Sequence, residues 1–345
     1  MYFYEAPPPS LLVIILDTNP LAWNQLSSTI TLKQAVSNLL IFVNSHLAVN
    51  HANKVAIIAS HPDRASYLYP VTRKARASST AKHADEHTKR DIDMKDAGAT
   101  KPDVAADTAN KYRPFAIVEQ QVLASLSDLL AKTDADVLAS DGNNTMIAGS
   151  LTMALAHISK TGLAYGPLSD SASAGNGNSR NEAFGGMAPG GNAGDPSDST
   201  NFAARAALTA RILIVSVSGD LARQYIPVMN AVFAAQRLRI PIDVFKLAGD
   251  TAFLQQASDA TGGVYVAPHT PQGMLQYLMM AFLPDQTARQ WLVPAVESAV
   301  DFRAACFCHR NVITTGFVCS VCLSSESTSI HTLLLRCLSC VNCYR

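Results

Sequence analysis

Hydrophobic blocks alternate with polar segments along the chain in the rhythm of an α/β fold. Residues 11–16 form a continuous aliphatic run, which is typical of a strand buried on both faces of a parallel sheet. Residues 31–47 then place apolar side chains at helical intervals, and a second strand-like run follows at 55–60. Together they predict a βαβ unit, in which a helix joins two parallel strands.

The alternation continues to about residue 283. Further strands are predicted at 66–69, 210–220, 241–247 and 262–268, and further helices at 114–130, 146–158, 221–238, 251–261 and 271–282. Sequential strand–helix units of this kind predict a doubly wound, mostly parallel α/β sheet of the Rossmann type with helices on both faces. We place this domain at residues 8–283.

Two segments without hydrophobic periodicity interrupt the predicted domain, at 73–111 and 162–205. The stretch from Arg73 to Arg113 holds 10 basic and 7 acidic residues, and the second segment holds 9 of the 18 glycines. Both compositions predict disordered insertions, because they offer little apolar surface to bury. After the domain we expect a linker at 284–303 and a cysteine-rich module at 304–345.

Charge and hydropathy exclude several classes of partner. The chain has 27 Lys and Arg against 27 Asp and Glu, so it lacks the cationic surplus that binds nucleic acid or anionic membranes electrostatically. A local contact with DNA stays open. The longest aliphatic runs are far shorter than the roughly 20 residues of a membrane span, and the first residues lack the basic region of a secretory signal. We therefore expect an intracellular protein without a membrane partner.

A degenerate magnesium site is predicted at the end of the first strand. In doubly wound sheets, ligands bind beyond the carboxyl ends of the strands, where Asp17 lies. An aspartate followed by hydroxyls at the second and fourth positions would hold Mg²⁺ through oxygen ligands. Here those positions are Asn19 and Leu21, and a distant Asp141 cannot replace the missing ligand. We expect no Mg²⁺ at Asp17, which should instead accept hydrogen bonds from nearby loop amides.

The chain shows no constellation of catalytic residues. It contains no nucleophile elbow, no zinc-protease motif and no dinucleotide-binding glycine fingerprint after the first strand. His46, His51 and His61 flank the early elements, and we interpret them as solvated or helix-capping residues. We therefore expect a protein that is not an enzyme and has no small-molecule substrate.

The cysteines predict structural zinc. All seven lie between Cys306 and Cys343, and such clustering with CxxC spacing in a chain without a secretory signal indicates metal binding. The candidate ligands are the CxC pair Cys306 and Cys308 together with the CxxC pair Cys319 and Cys322. A second CxxC, Cys337 and Cys340, could replace the CxC pair. Four thiolates close a tetrahedral zinc site, so its role would be folding rather than hydrolysis.

Specific strings resemble a known family. The most specific is RAACFCHRNVITTGFVCSVCL at 303–323, which resembles the C-terminal zinc finger of the smaller von Willebrand A-like core subunits of general transcription factor TFIIH. Stretches of the α/β region resemble the same family at 11–23, 42–61, 229–247, 254–265 and 275–285. Beyond residue 323 the chain departs from the family. The resemblance therefore favours Cys306, Cys308, Cys319 and Cys322 as the zinc ligands over the alternative pair Cys337 and Cys340.

The resemblance implies a von Willebrand A-like domain with a small C-terminal zinc finger. It also implies a nuclear, non-catalytic scaffold of the TFIIH core, serving transcription initiation by RNA polymerase II and nucleotide excision repair. The implied partners are the larger von Willebrand A-type zinc-binding subunit and the other core subunits. The family lacks a working metal site at the position of Asp17, Asn19 and Leu21.

Two other functions remain open from the residues. One is a metal-dependent ligand-binding von Willebrand A domain, against which Leu21 argues because it offers no oxygen. The other is a RING-like ubiquitin ligase built on the C-terminal cysteines, which would bind two zinc ions. Seven cysteines and two histidines could supply that number of ligands, but their spacing is not that of a RING.

Overall fold

The computed structural model describes ten stretches of the chain: 8–71, 112–133, 145–164, 208–219, 224–249, 251–289, 291–292, 300–306, 312–318 and 325–326. The predicted insertion at 73–111 lies outside the described residues. Of the insertion predicted at 162–205, the first three residues are described, and they form the end of a helix rather than a loop.

Six strands form one sheet, and they match the predicted strands. They are β1 (Ser10–Asp17), β2 (Lys54–Ser60), β3 (Ala65–Tyr69), β4 (Thr209–Ser216), β5 (Ile242–Lys246) and β6 (Tyr265–Val266). Their order is β3-β2-β1-β4-β5-β6, which is the doubly wound order expected of sequential strand–helix units. All neighbours pair in parallel except β3, an antiparallel edge strand. This confirms the predicted mostly parallel α/β sheet and fits the von Willebrand A-like fold.

Helices cover both faces of the sheet. They are α1 (Pro20–Leu26), α2 (Leu32–Val49), α3 (Arg113–Ala131), α4 (Ile147–Ala164), α5 (Tyr225–Arg237), α6 (Ala252–Thr261), α7 (Met274–Tyr277) and α8 (Gln286–Arg289). Alternate residues of β1 pack into two hydrophobic cores, one on each face of the sheet. Leu12, Ile14 and Leu16 pack with α2, α3 and α7 on one face, while their neighbours pack with α4, α5 and α6 on the other. All eight residues of β1 are buried, which explains its continuous aliphatic sequence.

Two helical regions differ from the prediction. Helix α1 was not expected, although Asn19 and Pro20 provide a usual start, an N-cap followed by proline in the first turn. The helix expected at 271–282 is irregular. It consists of a short 3₁₀ helix at Pro271–Gly273, the short α-helix α7 and a short π-helix at Leu278–Phe282. No helix in the described stretches is both long and apolar enough to cross a bilayer.

The region after the sheet contacts the α/β body at several places among the described residues. Arg289 of α8 forms a bidentate ion pair with buried Asp243 of β5, at 2.8 and 2.7 Å. Further on, the side chain of Gln256 in α6 donates to the carbonyls of Asp301 and Arg303 at 2.7 and 3.1 Å. The short strands that follow are β7 (Ala304–Ala305), β8 (Val312–Ile313), β9 (Phe317–Val318) and β10 (Ser325–Glu326), paired as two antiparallel hairpins. The division of the chain near residue 283 stays a prediction.

Candidate functional site at the carboxyl edge of the sheet

Polar side chains collect where the parallel strands end. Asp17 ends β1, Ser60 ends β2, Ser216 ends β4 and Lys246 ends β5, and all four are almost completely buried. The carboxyl edge is where ligands bind in doubly wound sheets. It is therefore the first place in the fold to search for chemistry.

Both carboxylate oxygens of Asp17 are bound by backbone amides. Oδ1 accepts from the amide of Asn19 at 3.1 Å. Oδ2 accepts from the amides of Val217 and Ser218, just beyond β4, at 3.1 and 2.7 Å. The indole of Trp23 donates to the main-chain carbonyl of Asp17 at 2.8 Å. The expectation that Asp17 binds loop amides is confirmed.

The residues after Asp17 begin a helix instead of completing a cation site. Asn19 is the N-cap of α1, and its side-chain oxygen accepts from the amide of Leu21 at 3.1 Å. Leu21 lies in the first turn of α1 with 38% of its surface exposed. Asp141, the candidate distal ligand, lies outside the described residues. The side-chain oxygen of Asn19, the one additional candidate ligand in this stretch, therefore caps a helix.

A buried ammonium group occupies the same edge. Lys246 is 1% exposed, and its Nζ donates to the hydroxyl of Ser216 at 3.0 Å and to the carbonyl of Ser218. Burying a charged amine is unfavourable unless hydrogen bonds replace its hydration. Ser218 contacts both side chains, because its amide donates to Asp17 and its carbonyl accepts from Lys246.

His61 ties the edge to two helices. Its Nδ1 lies 3.2 Å from the hydroxyl of Thr18, and its Nε2 lies 3.0 Å from the hydroxyl of Thr133 at the end of α3. Its main-chain carbonyl accepts from the amide of Met146 before α4 at 3.1 Å. Burial lowers the pKa of His61 below its ordinary value, and the nearby Asp63 opposes this only in part. His61 therefore acts as a neutral structural group.

The interpretation of the histidines as solvated or capping residues was wrong for two of the three. His61 is completely buried, and His46 is 3% exposed on the inner face of α2. His46 follows Leu39 and Val43 at helical spacing, so its position on the apolar face could have been read from the sequence. His51 is exposed, as expected.

Three hydroxyls at this edge have no hydrogen-bond partner among the described residues. They belong to Ser60, Thr145 and Ser218, and each is buried. Buried water commonly satisfies such groups. Together with Asp17 and Lys246, these hydroxyls form a buried polar cluster at the carboxyl edge.

The predicted zinc ligands are described only in part. Cys306 is 1% exposed and follows β7 at the start of the first C-terminal hairpin. The remaining candidates all lie outside the described residues: Cys308, Cys319, Cys322, Cys337 and Cys340. Within the described part of the chain, no three His, Cys, Asp or Glu side chains are grouped to hold a metal. The zinc finger thus stays a prediction.

Sequence reasoning missed a second buried charge network near the start of β4. Arg211 is 3% exposed. Its guanidinium donates to the carbonyls of Phe282, Leu283 and Pro284, at the end of the short π-helix and just after it. Burial lowers the pKa of Arg211 to about 10, while nearby Asp243 favours its charged form. The available signal in the sequence was a charged residue, Arg211, at the beginning of an otherwise apolar strand. Its carbonyl partners, some 70 residues away, were not readable from the sequence.

The comparisons with known proteins agree with one another. A family model described as Transcription factor Tfb4 matches residues 9–343. The general transcription and DNA repair factor IIH subunit tfb4 of Schizosaccharomyces pombe is 39% identical, over 92% of this chain and 84% of its own. The corresponding Arabidopsis thaliana subunit is 31% identical, over 91% of this chain and 83% of its own. The crystal structure of the TFIIH p34 N-terminal domain matches with a TM-score of 0.54 at 38% identity, covering 80% of this chain and 98% of that domain. The chain therefore belongs to the Transcription factor Tfb4 family.

Proposed function

We propose that this chain is a nuclear, non-catalytic scaffold subunit of the TFIIH core. It would serve RNA polymerase II transcription initiation and nucleotide excision repair through protein–protein contacts. Family membership over residues 9–343 supports the assembly, since the curated relatives are named as subunits of general transcription and DNA repair factor IIH. The proposal includes no small-molecule substrate and no membrane.

The observation that carries the scaffold role is the internal bonding of the carboxyl edge. Asp17 accepts three backbone hydrogen bonds, and Lys246 donates to two groups beside it. In this fold the same edge would hold the ligand of a binding or catalytic domain. This internal bonding supports a role exercised through other surfaces of the domain.

Several surfaces support a role in protein contacts. On the outer face of α3, Leu123 and Leu130 are exposed in one row at a spacing of seven residues, and Ile117 is exposed on another side of the same helix. On α5, Phe233 is 56% exposed. Outside the stretch from Arg73 to Arg113 the chain is also poor in charge. Exposed apolar rows with few charges are typical of surfaces that subunits bury.

The proposed partners are the larger von Willebrand A-type zinc-binding subunit and the other core subunits of TFIIH. The proposed cofactor is one structural zinc ion, held by Cys306, Cys308, Cys319 and Cys322, with Cys337 and Cys340 as the alternative pair. The burial of Cys306 at the start of a hairpin suits a closed, structural site. Direct contact with DNA is left to experiment.

Co-expression with the larger subunit tests the scaffold proposal. We expect the full chain to be poorly soluble alone and to co-purify with that subunit as a stable complex. Replacing Leu123 on the exposed face of α3 with Asp should weaken the complex if this row is buried in it, whereas Thr152→Asp, at an exposed position of α4, is the control. Failure of the wild-type chain to co-purify would overturn the proposed role.

A further inference from the structure

A groove of about 600 Å³ lies at the amino edge of the sheet, opposite to the edge that holds Asp17. It is bounded by the end of α2, the start of β2, the end of β3 and the start of α3, with the C-terminal half of α4 completing one wall. Neither the proposed scaffold role nor the predicted zinc site uses this groove. Its lining and the chain segments beside it indicate what occupies it.

Apolar and aromatic side chains line the groove on the side of α2 and α3. Val55 and Val118 belong to the hydrophobic core, and Leu47 packs against that core. Tyr112 and Phe115 form an edge-to-face pair with ring centroids 5.1 Å apart, and Tyr112 keeps 64% of its surface exposed. A further aromatic ring would extend this pair and bury apolar surface against the core residues.

The charges of the groove do not select its occupant. Lys54 lines the groove but already has an interaction partner in the fold. Burial, followed by the charges of Lys160 and Lys54, lowers the pKa of His157, so this histidine is mainly uncharged at neutral pH. The occupant should therefore be recognised by apolar and aromatic contacts rather than by ion pairing.

The first residues of the chain join the fold beside the groove. The amide of Ser10, at the start of β1, donates to the side chain of Asn53 at 2.9 Å, and Asn53 lines the groove. Residues 1–7, called here the N-terminal segment, lie outside the described residues and contain three consecutive aromatic residues, Tyr2, Phe3 and Tyr4. The chain from Phe3 to Ser10 can extend up to about 23 Å. Since β3 is two strands from β1, or roughly 10 Å, the N-terminal segment is long enough to reach the groove.

Residues 72–111 are a competing occupant, because they also leave and rejoin the fold beside the groove. Ile92 and Met94 are among their few large apolar residues, and each has an aspartate directly before it. Inserting either side chain would bring a carboxylate towards an apolar surface, which costs hydration. Ile92 is also 22 residues beyond Pro70 and Met94 is 18 before Tyr112, so their docking would close longer loops. Both arguments favour the N-terminal segment.

We propose that the N-terminal segment docks in this groove, with the ring of Phe3 against Val118 and the ring pair of Tyr112 and Phe115. Docking within one chain has the advantage of a high effective concentration over a segment of another protein. The three prolines at 7–9 restrict the undocked chain, so less conformational entropy is lost on docking. The docked segment would cover the exposed ring of Tyr112 and keep this groove from other proteins.

Site-specific photocrosslinking of the full chain tests this proposal. Phe3 is replaced by p-benzoylphenylalanine, and the chain is irradiated both alone at low concentration and in the co-purified complex with the larger subunit. Because the chain alone is included, failure of that complex to form does not prevent the test. We expect crosslinks from position 3 to residues 47–55 or 112–118, located by mass spectrometry. The same photoreactive residue in place of Phe233, exposed on α5 outside the groove, is the control and should not give them.

Further variants test the aromatic contact and the competing segment. Tyr112→Ala should lower the crosslink yield from position 3 several-fold, while Phe233→Ala removes an exposed ring outside the groove and should leave the yield unchanged. Placing the photoreactive residue at Ile92 or Met94 measures docking of residues 72–111. A higher yield to the groove from either of these positions, crosslinks from position 3 to the larger subunit, or none from position 3 to the groove would overturn the proposal.

Discussion

Asp17 and Lys246 bind opposite sides of the same residue, Ser218. The carboxylate of Asp17 accepts the Ser218 amide at 2.7 Å, and the ammonium of Lys246 donates to the Ser218 carbonyl. The two charges end β1 and β5, with β4 between them. Ser218 thus lies between the two buried side chains and is hydrogen-bonded to both. We expect this arrangement to stabilise the carboxyl edge of the sheet.

Removing either charge should destabilise the domain. Lys246→Met leaves the carbonyl of Ser218 buried without its donor, and we expect a loss of about 1–3 kcal/mol in the free energy of unfolding. Urea denaturation followed by circular dichroism measures it. Lys33→Met, at an exposed position of α2, is the matched control and should change stability by less than about 0.5 kcal/mol.

The coupling between the two residues is measurable separately. Asp17→Asn, Lys246→Met and the double variant form a thermodynamic cycle, and we expect an interaction free energy of about 0.5–3 kcal/mol. Strict additivity of the two single changes would show that Ser218 does not connect the charges.

The ion pair between Asp243 and Arg289 should fasten α8 to the sheet. Both contacts are short, and the Asp243 side chain is 1% exposed. Arg289→Met would leave a buried carboxylate with the amide of Val264, at 3.0 Å, as its one remaining donor among the described residues. We expect a loss of about 3 kcal/mol in stability, together with faster hydrogen exchange in α8. Arg237→Met, at the exposed end of α5, provides the comparison, and equal effects of the two changes would contradict the assignment.

The burial of His46 should make the folded protein less stable in acid. Burial, and then the charge of Arg211, lower the pKa of His46 from 6.5 to about 4. Between these two values the unfolded chain binds a proton that the folded chain excludes, so stability is complete above the unfolded pKa and falls as the pH drops towards the folded one. The shift corresponds to roughly 3 kcal/mol at most.

Urea denaturation at pH 7 and at pH 4.5 measures this effect. Other histidines with lowered pKa values, including His61 and His157, change stability in the same direction, so the difference between variants is the informative quantity. His46→Gln should reduce the pH dependence, whereas His51→Gln, at an exposed position, should not. An unchanged slope in the His46 variant would contradict its burial as a neutral base.

The C-terminal cysteines give a separate prediction. Replacing Cys319 and Cys322 with Ser should release one zinc ion per chain and unfold the tail without unfolding the α/β body, because a closed four-thiolate site contributes directly to folding. Elemental mass spectrometry measures the zinc, and Cys343→Ser is the control. Unchanged zinc content would refute this choice of ligands, and two zinc ions in the wild type would favour the RING-like alternative with Cys337 and Cys340.

The regular part of the fold was predictable because its signals are local. The aliphatic run of β1 predicts a buried strand, and the helical spacing of apolar residues in α2 predicts a helix. The hydrogen bonds from backbone amides to Asp17 followed from its position at the end of a strand. The buried partners of Lys246 and Arg211 were not predictable, since they are 28 and more than 70 residues away. Long-range polar contacts of this kind depend on how β4 and β5 are placed, which hydrophobic periodicity alone does not specify.

Binding of the larger von Willebrand A-type TFIIH subunit, with and without magnesium, tests the central claim most directly. Because the chain alone is expected to be poorly soluble, the co-purified complex would be diluted and its dissociation followed by analytical ultracentrifugation. The comparison is between 5 mM MgCl₂ and a magnesium-free buffer of matched ionic strength, about 15 mM higher in NaCl. We predict a stable complex with the same dissociation constant in both, because the carboxyl edge is bonded internally through Asp17 and Lys246. Absence of a complex, or binding that requires Mg²⁺, would contradict a metal-independent scaffold.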